Sequence, residues 1–304
     1  MGIVVVTGAT GLIGRAVVDE LVARGDGVVA LVRDPEASGR RFGEGVRVVG
    51  WPDISQPPGS DAVNGADAVV HLLGEPIAQR WSDQVKRRIR ESRVLGTRSL
   101  VSAIKAASER PRVLVSQSAT GYYGPSEAER LDEEAPPGAD FLAGVVVDWE
   151  AEAEAATALG LRVVSTRTGV VLAPSGGALA KMLPPFKAGI GGPVGGGRQY
   201  LPWVHLGDVV GAILHGIDHD AASGPYNVSA PEPVTNAEFS RALGRVLHRP
   251  AIAPVPAIAL KLLYGEMAVI VLTGQRAVPA RLLEQGYAFR RPELEPALRD
   301  VLGR

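Results

Sequence analysis

Residues 4–17 read VVVTGATGLIGRAV, a β-branched run that breaks into three glycines and then into helical spacing. Ile3 to Thr7 suits a buried strand and Ile13 to Ala23 a helix. Between them Gly8 permits a tight turn, Gly11 lets the backbone approach a pyrophosphate, and Gly14 lets helix and strand pack closely. A helix that opens this way presents unpaired N–H groups and partial positive charge, so the segment predicts dinucleotide binding. The same glycines could serve only a structural turn, but the strand before them and the helix after favour the nucleotide.

Outward from this turn the pattern repeats. Strands are predicted at Ile3–Thr7, Val28–Val32, Val46–Val49, Ala68–Leu72, Val113–Ser116 and Arg162–Thr166, with helices at Ile13–Ala23, Gln84–Ala107 and Val146–Leu159. Continuous apolar strands alternating with helices predict an α/β fold, a Rossmann-type doubly wound parallel sheet covered on both faces. After residue 173 the texture changes. Residues 174–203 are rich in Gly and Pro and read as a long irregular loop, which in a compact domain is usually functional. Asp208–Ile217 reads as a helix, Pro225–Val228 as a short strand, and the remainder as mostly helical. The division expected is a nucleotide-binding domain over 1–172, to which 205–228 returns, and a smaller, mostly helical substrate or C-terminal domain over 173–304.

Composition narrows the function. The 304 residues are 46% hydrophobic but only 5% aromatic, so aliphatic side chains must fill the core. A formal net charge of −1 gives no general electrostatic reason to expect nucleic acid or membrane as a partner. The absence of cysteine excludes disulfides, thiol chemistry and Cys-zinc sites. Ala257–Leu272 is apolar but interrupted by Lys261, Gly265 and Glu266, and reads as a buried helix with a break rather than a span. No signal peptide is visible, so the expectation is a cytoplasmic protein.

The second strand ends on Val32 and is followed by Arg33 and Asp34. An acid at this strand end would hold a ribose 2′-hydroxyl, whereas the guanidinium of Arg33 is able to pair with a 2′-phosphate. NADP(H) is therefore expected ahead of NAD(H). Arg15 either adds to that pairing or is solvated.

The spacing TGATGLIG (7–14), the segment DAVVHLLG (67–74) and SQSATGYYG (116–124) resemble the extended short-chain dehydrogenase/reductase superfamily. GEPIAQRW (74–81), SRVLGT (92–97), RTGVVLAP (167–174), 183–205 and PARLLEQGYAF (279–289) narrow the resemblance. It is to epimerase-family oxidoreductase-like proteins, with an NAD-dependent epimerase/dehydratase-like N-terminal domain and a C-terminal domain of unknown function. The resemblance implies cofactor contacts from Thr7, Gly8, Thr10, Gly11, Leu12, Ile13 and Gly14 at the turn, and from Arg33. Leu72, Leu73 and Gly74 would pass along the cofactor as backbone. Ser118 aligns with the superfamily's active-site serine, and Arg93 stands in the cofactor-side helix where extended members often have asparagine.

One thing is missing. The superfamily moves its proton through a tyrosine whose pKa is lowered by a lysine four residues later, one helical turn away. The segment DFLAGVVVDWEAEAE (140–154) should carry that pair and contains neither residue. A free phenol has a pKa near ~10 and is a poor base at neutral pH. Substitutes are Ser118 with Tyr122 or Tyr123, near the cation Arg93 or Arg167; packing is the other reading of the two tyrosines. Val145–Val147 and Trp149 are expected to make an apolar contact in place of the missing pair.

On the substrate side, Glu75, Arg167, Arg198 and Trp203 are the candidates, with Arg198 pairing a phosphate or carboxylate. In the alternative reading, the glycines at 195–197 only permit turns. His205 and Asp208 are expected to fix the start of the next helix, Asp208 as its cap. His215 and His219 at i, i+4 lack a third ligand, so no metal is assigned. No G-x-S-x-G elbow surrounds Ser116 or Ser118, against a hydrolase triad. The sequence thus points to an NADP(H)-binding oxidoreductase or nucleotide-sugar-epimerase-like enzyme acting on a small carbonyl or hydroxyl substrate, a homodimer being possible. Its rival is a non-catalytic NADP(H)-responsive binding or regulatory protein.

Overall fold

The computed structural model describes residues 2–126 and 129–304. Seven strands lie parallel in one sheet: β1 (Ile3–Thr7), β2 (Gly27–Val32), β3 (Val46–Gly50), β4 (Ala68–His71), β5 (Val113–Ala119), β6 (Arg162–Thr168) and β7 (Gly224–Val228). Their spatial order is β7-β6-β5-β4-β1-β2-β3. The order reverses between β1 and β4, the switch point at whose carboxyl ends such sheets bind ligands.

Alternation along the strands sorts the aliphatic residues onto two faces. Val4, Val6, Val28, Ala30, Val70 and Val115 pack on one face against α1 (Leu12–Ala23). Val5, Val29, Leu31, Val69 and Leu114 pack on the other, under the long helix α2 (Asp83–Ala106) and the end of α3 (Phe141–Glu154). Ser82 caps α2 by accepting the Val85 N–H, and Asp140 caps α3 by accepting that of Ala143.

The stretch expected to be an irregular loop contains a helix, α4 (Gly177–Lys187), despite Pro184 and Pro185 inside it. The prolines remove two N–H donors near its end. Leu179 and Phe186, buried in a third cluster with Phe239 and Leu243, hold the turn in place. Residues 206–218 form α5, which packs against α1, and 224–228 pair with β6. The third cluster unites α4, α6 (Asn236–Leu247) and a C-terminal helix.

Two expectations about helices are corrected. The cap of α5 is His205, whose Nδ1 accepts the Gly207 N–H; Asp208 is buried and its carboxylate accepts the N–H groups of Arg290 (2.6 Å) and Arg291 (3.0 Å). The apolar stretch after residue 256 does break at Gly265, where φ is +63°, but its first part, α7 (Ala257–Tyr264), buries none of its residues. The C-terminal helix is α8 (Leu294–Leu302).

Candidate active site

The turn after β1 is built as a cradle. Gly8 adopts φ +64°, and a Cβ there would lie 2.6 Å from the Leu72 carbonyl oxygen. A Cβ on Gly14 would overlap the carbonyl of Gly8. Gly11 is the N-cap of α1, with no side chain capping the first turn and no acidic residue in it. The N–H groups of Leu12 and Ile13 therefore start a helix that lacks an internal anion, and this fits a phosphate. Thr10 and Gly11 are exposed beside it.

Thr7 has another task. Its Oγ1 accepts the Leu72 N–H (3.1 Å) and donates to Nδ1 of His71 (2.8 Å). Thr97 donates to the Arg93 carbonyl (2.6 Å), so it accepts from Nε2 of His71 (3.0 Å). The chain of bonds ties β1, β4 and α2 together at the switch point and keeps His71 neutral. Burial lowers the His71 pKa to about 3. The Thr7 side chain is thus wholly engaged within the protein, and only its backbone is left for a ligand.

Arg33 is exposed at the end of β2, while Asp34 accepts the Ala37 N–H (3.0 Å) and caps the short helix Pro35–Gly39. Asp34 is held by its own helix and Arg33 is not. Arg15 is occupied: it reaches Asp19 and the Arg41 carbonyl and lies over the Phe42 ring.

A second group of side chains meets at the carboxyl ends of β5 and β6. Ser118, 1% exposed, donates to Glu150 Oε1 at 2.5 Å. Arg167 clamps the same carboxylate with Nε (2.8 Å) and Nη2 (2.8 Å), and its Nη1 donates to the Tyr123 hydroxyl (3.2 Å) and the Glu133 carbonyl (3.2 Å). The arginine is nearly inaccessible and its pKa is raised, the hydrogen bonds and charge of Glu150 outweighing burial. Its guanidinium carbon lies 3.4 Å from the centroid of the Tyr122 ring, whose hydroxyl makes no hydrogen bond among the described residues.

The two tyrosines are therefore not equivalent. The Tyr123 hydroxyl bonds the Asn227 side chain (2.7 Å) and the Asp132 carbonyl (2.9 Å), and burial pushes its pKa up to about 12 against the lowering effect of Arg167. Buried and bonded on several sides, Tyr123 fits the packing reading of the two tyrosines better than the catalytic one. Asn227 also donates to the carbonyls of Leu131 and Val278, and Glu133 accepts the N–H groups of Asn227 and Arg281. Burial holds the Glu133 carboxyl above its ordinary range.

Glu75 and Arg93 flank Gly74 after β4. Arg93 donates to the carbonyls of Glu75 (3.1 Å) and Ile89 (3.0 Å), lies over Trp149, and is lowered by burial to about 10. The Glu75 carboxylate accepts from Gln79 and lies 3.5 Å from Arg88. Arg198 is exposed and makes no ion pair among the described residues. Trp203, expected to touch a ligand, is 1% exposed and packs in the third cluster. His215 and His219 stack at 4.6 Å, with His215 Nε2 bonded to Gln285.

In α3, Val145, Val146 and Trp149 are buried, but Val147 faces outward. The residue not foreseen is Glu150. It looked like one of several acids on an amphipathic helix. The available signal was its place four residues after the buried Val146, on the same face.

This architecture has close counterparts. Residues 4–229 match the NAD dependent epimerase/dehydratase family, and 255–301 match a domain of unknown function, DUF1731. The chain is 41% identical over 302 residues to the chloroplastic epimerase family protein SDR39U1 homolog of Arabidopsis thaliana, covering 98% of this chain and 86% of that protein. It is 38% identical over 304 residues to SDR39U1 of Mus musculus, covering 98% and 99%. The crystal structure of human SDR39U1 isoform 2 with NADPH superposes with a TM-score of 0.87 at 35% identity, covering 99% of both chains. A nucleoside-diphosphate sugar epimerase from Corynebacterium glutamicum gives 0.78 at 34% identity; the match covers 99% of this chain and 58% of that one. Glycine cradle, parallel sheet and whole-length likeness agree: the chain belongs to the NAD-dependent epimerase/dehydratase family.

Proposed function

We propose that this chain binds NADP(H) in the Gly8–Gly14 cradle and acts as an oxidoreductase or epimerase-like enzyme on a small carbonyl or hydroxyl compound. The observation that carries the reading is the Ser118–Glu150–Arg167 cluster at the carboxyl ends of β5 and β6. The nucleotide, when bound, supplies or takes up a hydride. The chain supplies the proton path. Ser118 has one proton and already directs it at Glu150, so its oxygen presents lone pairs to a ligand and passes a ligand's proton inward to the carboxylate. Arg167 orients Glu150 by a two-pronged clamp and stacks on Tyr122, whose free phenol is the nearby donor for the reverse step. Arg33, unengaged beside the helix-bound Asp34, supports the 2′-phosphorylated cofactor, as does the NADPH in the human relative. Glu75 and Arg198 are the polar groups proposed to meet the substrate.

A second reading has its own observation. The hydroxyls of Ser118 and Tyr123 are committed within the protein and nearly inaccessible, which suits a binding protein that responds to NADP(H) without turnover. One set of measurements separates the two. NADPH titration by fluorescence should show binding that Arg33→Ala weakens by about tenfold or more, with little change for NADH. NADPH consumption over a panel of carbonyl compounds should then fall sharply in Ser118→Ala and Glu150→Gln. Tight binding with flat consumption selects the binding protein, and unchanged affinity in Arg33→Ala overturns the cofactor assignment in both.

A further inference from the structure

The most anomalous surface is on α7, beside the 74–81 segment, whose Arg80 reaches the Leu262 carbonyl (3.5 Å). Helix α7 has the sequence AIALKLLY and buries none of it; Ile258 is 70% exposed and Leu262 74%. Leu263 is exposed as well. Just before it, Ile252 stands 83% exposed, and Ile190 on the neighbouring strand of chain is exposed too. These two segments run side by side: the Ala253 N–H donates to the Gly191 carbonyl (3.3 Å) and that of Val255 to the Pro193 carbonyl (2.9 Å). Isolated exposed aliphatics are ordinary, but two at paired segments and three on the helix that follows mark an interaction surface.

Charge says what covers it. The sequence contains no Asp or Glu from residue 155 to 207, nor from 239 to 265, the two stretches that build this face. Both stretches carry cations. Arg249 donates to the Lys187 carbonyl (3.2 Å), which brings the Arg249 side chain onto the chain at residue 187. Arg241, Arg245, His248, Arg249 and Ile252 line one open concavity of about 540 Å³. Arg245 is paired with Glu295, whereas Lys187, Arg241, Arg249 and Lys261 make no ion pair among the described residues. A two-fold contact between copies would set these cations against each other, which like-charge repulsion opposes.

We propose that this face binds the surface of an anionic phospholipid bilayer, with Ile252, Ile258, Leu262 and Leu263 entering the interface and the four cations at headgroup level. Aliphatic side chains flanked by Lys and Arg are the chemistry of interfacial, non-spanning attachment. No helix among the described residues is long and apolar enough to cross a membrane, so the contact is peripheral. Pro256 before α7 and Gly265 after it bound the helix. The glycine cradle and the membrane face are formed by different residues.

The test is co-sedimentation of the full chain with phosphatidylcholine vesicles, with and without phosphatidylglycerol. Retention should rise by at least about tenfold on the anionic vesicles and fall with added salt. Leu262→Asp should abolish it, and Arg249→Glu should reduce it by about fivefold or more, reversal of one interfacial charge being worth that much. Both positions are exposed, and unchanged NADPH titration and circular dichroism would show that the variants fold. Absence of retention, or equal retention on neutral vesicles, overturns the proposal. So does light scattering that finds a dimer dissociated by Leu262→Asp, which would assign the face to a second copy.

Discussion

Arg167 and Glu150 are each worth more than their separate properties. Arg167 is nearly inaccessible, and what makes its charge tolerable there is the bidentate carboxylate. Removing one partner strands the other's charge in a poorly solvated site, at a cost of about 3–5 kcal/mol. Glu150→Ala and Arg167→Ala should each destabilise the fold by that order, while the double variant costs less than the sum, as a urea-unfolding double-mutant cycle would measure. If the two losses simply add, the pair is not coupled. Some of this was legible in the chain and some was not. Ser118, Tyr122 and Arg167 sit on strand ends and turns, where the motif spacing points directly at them. Glu150 lies among other acids of an alanine-rich helix, and only its spacing from Val146 separates it from the acids that face water.

At the scale of elements, the β1–α1 unit is the most locally determined piece of the molecule. Its glycines are needed because backbone meets backbone: Gly14 lies against the Gly8 carbonyl, and Gly8 against that of Leu72. Gly14→Ala should cost about 1–3 kcal/mol of stability by overpacking and weaken NADPH affinity with it. Chemical denaturation and fluorescence titration check both; a variant as stable as the parent would mean that the helix can lift away. Helix α4 is the opposite case. Pro184 and Pro185 argue against a helix on propensity, and burial of Leu179 and Phe186 under α6 overrides them. Helix α7 reverses the error, since an apolar sequence usually means a buried one, and here Ile258, Leu262 and Leu263 stay exposed while Ala257, Leu260 and Tyr264 are only half-buried.

For the whole molecule, acid stability reports how the sheet and α2 are joined. His71 is neutral and buried when folded, with a pKa of about 3, and reverts to about 6.5 when the chain unfolds. Its pKa is depressed in the folded state, so below about pH 6.5 the unfolded chain binds the extra proton and stability falls as the pH drops toward 3. Between about pH 7 and pH 5 this one group should remove about 2 kcal/mol. Urea unfolding of the parent and of His71→Gln at both values should show the gap between them narrowing by that amount at acid pH. A constant gap would mean that His71 is not held neutral. At the far edge of the sheet, Asn227, Glu133 and the carbonyl of Val278 join β7, the 131–133 loop and the C-terminal segment. The long-range ties of that network hold the segment at 278–281 against β7 and the 131–133 loop.

By itself the sequence determined the alternating strands and helices, the glycine cradle and the cation after β2, because each depends on residues a few positions apart and on backbone sterics. The tertiary structure alone decided that Glu150 meets Ser118 and Arg167 at the strand ends, that Tyr123 and Trp203 are buried, and that the outer side of α7 is exposed. Those outcomes depend on which distant segments meet, and charge, burial and pairing have no value for a side chain until its neighbours from elsewhere in the chain are in place.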